Sequence, residues 1–263
     1  MSTFLANARE TLAPRSDTRH GPLSPLLLVM TVVAGLVDAF SFLALSHVFV
    51  ANMTRNVIFL GFALAGAPGF LISATLLALG SFIIGGFAGG ALAARHGAHH
   101  GRLLTIAATT QTLIMLAAVL LTLLGGVPIP ALHGHILAAL LGAAMGLQNA
   151  TVRKLAVPDL TTTVLTLTLV GVPADSHLAG GGGSHAGRRL IAVAAMLLGA
   201  LIGALLLTHG AISLPFVIAT ILVGGVPIAT YTLSRANPPW VQASAADEAK
   251  RADQTDSATE IRK

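Results

Sequence analysis

The sequence predicts an all-α polytopic membrane protein, with about six transmembrane helices, two short broken or re-entrant segments and two inverted repeats. Three observations predict it. Six runs are long and apolar enough to cross a bilayer, the basic residues gather in loops on one side, and three patches of the first half recur in order in the second. The composition agrees: 54% of the 263 residues are hydrophobic and 10% are charged, against roughly 25% charged in an average soluble domain.

A membrane-spanning helix needs about 20 mostly apolar residues. The runs 24–45, 70–94, 103–124, 131–152, 189–208 and 213–234 qualify. The first follows a polar stretch carrying Arg9, Arg15 and Arg19. It is too long for a signal-peptide core and has no small-residue cleavage site, so it reads as a retained span. Residues 5–15 read as a short surface helix. Two further stretches, 48–66 and 157–173, are shorter and rich in Thr or Asn; Pro158 and Pro173 bound the second.

Charge decides whether these two cross the membrane. With six spans and the N-terminus inside, every Lys and Arg of the 15 except Arg55 falls on the inner side, as the positive-inside rule requires. Eight spans would send Arg95, Arg102, Arg153 and Lys154 outside. Both stretches therefore read as re-entrant or interfacial, a geometry tolerated only where protein or water covers the backbone. The expected layout is a cytoplasmic segment 1–23, a membrane domain 24–235 and a polar, disordered cytoplasmic tail 236–263. Loop 174–188, with Gly180 to Gly183, reads as a flexible linker. Tyr231 and Trp240 flank the inner end of the last span, where an interfacial aromatic belt is expected.

The repeats run 24–124 and 131–234. Gly35-Leu36-Val37-Asp38-Ala39 matches Gly146-Leu147-Gln148-Asn149-Ala150, and Met53-Thr54-Arg55-Asn56 lies against Leu165-Thr166-Leu167-Thr168. Gly86, Gly90 and His96-Gly97 lie against Gly199, Gly203 and His209-Gly210. Each half holds three spans, so the second enters from the opposite side and the halves are inverted. Inverted repeats with broken segments are a recurring plan of secondary transporters, with the substrate site between them.

Two stretches carry a family resemblance. AGLVDAFSFLALSHVFVANMTRNVIFLGFAL (from Ala34), and MGLQNATVRKL followed by VPDLTTTVLTLTL (from Met145), resemble the signatures of the YoaK-like family, bacterial membrane proteins grouped under a domain of unknown function. The likeness covers roughly 24–235. It is most specific at Asp38-Ala39, Asn52-Met53-Thr54, Asn56 and Gly146 to Ala150. Arg55 and Leu167 stand where the family pattern has Gly, which would allow tighter bends. The resemblance implies a multi-pass protein of the bacterial inner membrane and brings no activity with it.

Asp38 is the only acid inside a full span, and such a carboxylate costs about 2.5–3.5 kcal/mol at a helix centre. It should face the bundle interior or water, as a coupling group, a substrate contact or a local cap. Arg55 could pair with it from a folded-back segment. Asn52, Thr54, Asn56, Thr162, Thr166 and Thr168 bring amides and hydroxyls to the short segments. Gln148 and Asn149 occupy the repeat-related place of Asp38, able to bind solute or to bridge helices. These ten residues are the expected substrate- or ion-binding set. Gly85, Gly86, Gly89 and Gly90, Gly142 with Gly146, and Gly199 with Gly203 form small-xxx-small patterns, which read as helix contact faces.

The sequence excludes more than it names. Cys is absent, so thiolate chemistry is excluded. His96, His99 and His100 have no carboxylate or thiolate beside them, so no metal site and no cofactor is expected. No HExxH, P-loop or GxSxG motif occurs, so neither an enzyme nor an ATP-driven device is expected. Expected partners are membrane lipid, a small molecule or ion, and a second copy through glycine faces. Nucleic acid is excluded, because the basic residues sit between apolar runs. The first function expected is a small-solute or ion permease; the alternative is a membrane-embedded interaction or assembly protein without transport.

Overall fold

The computed structural model describes residues 11–12, 14, 20–45, 47–126, 129–158, 160, 170, 186–236 and 238–242. Among these the regular elements are helices: α1 Leu23–Ala44, α2 Met53–Leu64, α3 Ile72–His96, α4 His100–Gly125, α5 Ala131–Leu155, α6 Ala186–Thr208, α7 Leu214–Ser234 and a 3-10 turn Pro239–Val241. Six are long and apolar enough to cross a membrane, and α2 is the short one. The expected spans are recovered within three residues at each end. Local chemistry sets several boundaries. His99 precedes α4 and its ring nitrogen accepts from the Arg102 N–H at 2.9 Å, satisfying a donor that a helix start leaves orphaned. Pro130 precedes α5, and Ala156 ends it in the left-handed region at φ 49°.

Three long helices pack against three others: α1 on α6 and α3 on α5, each pair running parallel, and α4 on α7, running antiparallel. Secondary contacts join α4 to α5 and α1 to α7. Exchange α1 with α5, α3 with α6 and α4 with α7, and α1–α6 maps onto α3–α5, α4–α5 onto α1–α7, and α4–α7 onto itself. That is the contact pattern two inverted copies make. The glycines repeat it at atomic detail. A methyl on Gly85 would collide with the Ala143 carbonyl oxygen, and one on Gly199 with the Val32 carbonyl oxygen. One on Gly89 would meet Ala150 Cβ at 2.8 Å, and one on Gly203 would meet Ala39 Cβ at 2.9 Å. One on Gly146 would strike Phe82 and Gly86, and one on Gly35 would strike Met196 and Ala200.

These matches shift the sequence alignment by one residue. Gly85 and Gly89, not Gly86 and Gly90, take the places of Gly199 and Gly203. Nor are all four glycines of α3 contact residues: a methyl on Gly86 or Gly90 would meet nothing within 4 Å. The glycine faces that do pack are used between helices of the same chain.

The core forms two clusters. One surrounds Phe40 of α1 and Phe216 of α7, whose ring centroids stand 3.8 Å apart. The other gathers Leu23, Leu27, Leu103, Leu155 and Trp240 at the opposite end of the bundle. Trp240 is therefore not a belt residue; it is fully buried and lies against Gly21, whose φ of 40° turns the chain there. The start of the expected disordered tail is thus docked, while 243–263 lies outside the described residues. Tyr231 is 55% exposed. Large apolar side chains such as Phe87, Ile84, Leu124 and Ile221 are also exposed, a surface that suits lipid and not water.

Candidate functional site

The connection after α1 folds back into the bundle. Val48, Phe49, Val50 and Ala51 are buried, although they follow the end of a span. They reach back to Asp38, six residues before the end of α1 and so about 9 Å below it at 1.5 Å per residue. A buried extended backbone needs acceptors for its N–H groups, and Asp38 supplies them. Its Oδ1 accepts from Val50 N–H at 3.0 Å and Ala51 N–H at 2.8 Å. Its Oδ2 accepts from the Asn52 amide.

Asn56, one turn into α2, closes the loop from the other side. Its Oδ1 accepts from the Phe49 N–H at 2.9 Å and its amide donates to the Phe49 carbonyl. The sequence grouped Asp38, Asn52 and Asn56 as solute ligands; in the structure Asp38 and Asn56 bond to the loop backbone and Asn52 donates to Asp38. Arg55 takes a different place from the expected pair, with its guanidinium over the Phe49 ring at 4.7 Å. Phe49 in turn stacks on Phe42, centroids 4.9 Å apart.

Gln148 bridges helices. Its Oε1 accepts from Gln111 of α4 at 2.6 Å, and its amide donates to the Met30 carbonyl of α1 at 3.3 Å. Both glutamines are buried. Asn149 donates to the Met145 carbonyl at 2.9 Å and lines a cavity. Thr162, Thr166 and Thr168 lie outside the described residues.

That cavity holds about 1460 Å³ and lies between the α1–α6 pair and the α3–α5 pair. Of the expected set, Asp38, Asn52, Thr54, Arg55 and Asn149 line it; Asn56 and Gln148 do not. Its walls come in matched positions of the two halves: Gly35 with Gly146, Asp38 with Asn149, Phe82 with Met196, Gly86 with Ala200 and Gly90 with Ala204. Sequence reasoning missed Phe42, Phe82 and Met196, because an apolar residue in an apolar helix carries no mark. It also missed Gly86 and Gly90 as wall residues, and counted Arg153 and Lys154, which line the same space, only as topology signals. Among the described residues no group of three or more metal-ligating side chains converges.

A family model described as Protein of unknown function (DUF1275) matches residues 26–228. A curated relative, described as UPF0700 transmembrane protein YoaK of Bacillus subtilis (strain 168), is 31% identical over 156 residues, which cover 57% of this chain and 65% of that protein. The match thus spans just under two thirds of the relative's length. No solved structure matches.

Proposed function

The chain belongs to the family described as Protein of unknown function (DUF1275), and from that premise we propose that it is a permease for a small solute or ion, with its site between two inverted repeats. One observation carries the reading: a cavity of about 1460 Å³ whose walls are drawn from equivalent positions of the two halves. Sites near the repeat interface recur in secondary transporters. The sequence brings no ATP-binding element, so gradients of solute or ion drive the movement. The alternative, an assembly protein using glycine faces, loses support because those faces are spent on helices of the same chain.

Purified protein in proteoliposomes should take up at least one of three radiolabelled probes, an organic anion, a cation or a neutral solute, faster than empty vesicles. Gly86→Phe places a ring in the cavity from a position with open space around it, and uptake should fall at least tenfold. Uptake that matched empty vesicles, or that survived Gly86→Phe unchanged, would refute the reading.

The same proposal places the protein in the bacterial inner membrane with both termini in the cytoplasm, as the basic loops direct. The native chain has no Cys, so a single introduced cysteine reports without background. A cysteine at position 99 should resist an impermeant maleimide in intact cells, and one at position 67 should react. Reversed accessibility would invert the topology.

A further inference from the structure

We propose that the cavity binds an amphipathic anion, an acidic head on an apolar body, an inference that rests on the reading of this cavity as the substrate site. Among the described residues three cationic side chains line it, Arg55, Arg153 and Lys154, and one acidic side chain, Asp38. The negative charge is already committed: both Asp38 oxygens accept N–H donors from the folded-back loop. The described wall is therefore basic on balance, and charges that line a cavity interact more strongly than charges in open water.

The placement of the cations adds to this. Arg153 and Lys154 close the last turns of α5, where loop topology already favours a basic residue. Arg55 has no such explanation, since it is the one basic residue that the charge pattern leaves on the outer side. It lines the cavity, with its guanidinium carbon over the Phe49 ring, 4.7 Å from the centroid. A cation–π contact uses no N–H hydrogen bond to an acceptor oxygen, and a guanidinium carries five N–H donors suited to a carboxylate, sulfonate or phosphate.

The rest of the wall argues for an apolar body. It is mostly Gly, Ala, Phe, Met, Leu and Val, and the volume far exceeds that of one inorganic ion. Phe42 and Phe49 offer stacked rings beside Arg55. A soluble aromatic acid and an anionic phospholipid share this chemistry.

Equilibrium dialysis of the purified full chain in neutral detergent tests it, with radiolabelled naphthalene-2-sulfonate against a naphthylmethyl-trimethylammonium probe of similar size. The sulfonate should bind at least tenfold tighter than the ammonium. Arg55→Gln should weaken it about tenfold, the value of one charge-assisted hydrogen bond, and the Arg153→Gln/Lys154→Gln pair, at the opposite end of the space, should weaken it by less, through its charge alone, with gel-filtration profiles unchanged. Gln111→Leu, away from the cavity, should leave binding unaltered and serves as the control for general destabilisation. Competition by phosphatidylglycerol but not by benzoate assigns the anion to lipid, and the reverse assigns it to a soluble acid. Equal or tighter binding of the ammonium, or glutamine variants that bind the sulfonate as the native chain does, overturns the inference. Binding without flux in proteoliposomes would sink the permease reading alone, and flux of the cation without the anion would sink this inference alone.

Discussion

Two rows of glycine lie one residue apart on α3, and they do opposite things. Gly85 and Gly89 face α5, where any side chain would strike Ala143 or Ala150. Gly86 and Gly90, rotated about 100° around the helix, face the cavity and meet nothing within 4 Å. The first row lets two backbones approach, as small residues do in membrane bundles. The second keeps a space open. On α6 only the packing row is glycine, Gly199 and Gly203, while the cavity row is Ala200 and Ala204. Close approach demands the absence of a Cβ; an open wall tolerates a methyl. The packing row is therefore the stricter of the two, and substitutions can make that visible.

The largest effect is expected on the packing row. Gly85→Leu forces a side chain against the backbone of α5 and drives α3 away along its most extensive contact. Overpacking a tight core costs typically about 1–3 kcal/mol and sometimes more, and a collision with backbone belongs at or above the top of that range. Thermal unfolding in detergent, followed by circular dichroism, should show Gly85→Leu as the least stable of the variants compared. A native-like melting temperature would mean that α3 and α5 do not meet as described.

Next comes the polar wall, which tests whether a cavity residue can also be a structural one. Asp38→Ala takes the acceptor from the Val50 and Ala51 N–H groups and the Asn52 amide; a buried unpaired donor costs about 1–3 kcal/mol, and less where water in the adjoining cavity replaces the lost acceptor. Asp38→Asn keeps an acceptor for the two backbone donors, and Asn52 can turn its amide oxygen to the new NH₂. The asparagine variant should therefore recover most of the stability the alanine variant loses, and protease protection of residues 47–52 should follow the same order. Equal loss in both would show that the charge, and not the hydrogen-bonding shape, holds the loop.

The fold was legible and the site was only partly so, for identifiable reasons. A span is a property of some 20 consecutive residues, so α1, α3, α4, α5, α6 and α7 were visible as apolar runs. The folded-back character of 48–66 came from charge, because a seventh crossing would have put Arg95 and Arg153 on the wrong side. Asp38 was marked by its rarity in a span, but its partners are main-chain N–H groups of Val50 and Ala51, which every residue except proline possesses. Gln148 and Asn149 are neighbours in one motif, yet helical rotation sends the first to Gln111 and Met30 and the second to the cavity wall. The two glycine rows were invisible for the same reason: pattern matching accepts Gly85/Gly89 and Gly86/Gly90 alike, and only the partner helix tells them apart.

The smallest effect on stability is expected where the effect on uptake is greatest. Gly86→Phe adds a large side chain to a helix interior, and near Gly85 that would be disruptive. At position 86 the new Cβ enters open space. Its ring, in the common helical rotamers, leans back toward the preceding turn, where Phe82 already lines the same cavity. Replacing Gly also removes a penalty of about 1 kcal/mol in helix propensity, of which Phe returns roughly half. Against this stands only the cost of displacing whatever solvent fills the cavity. The melting temperature should therefore stay within about 2 °C of the native value, corresponding to a net change below roughly 1 kcal/mol for a chain of this size. A variant that kept its stability and lost uptake would separate the two rows cleanly. One that melted as early as Gly85→Leu would mean that Gly86 is a packing residue too, and that the cavity is not open at this wall.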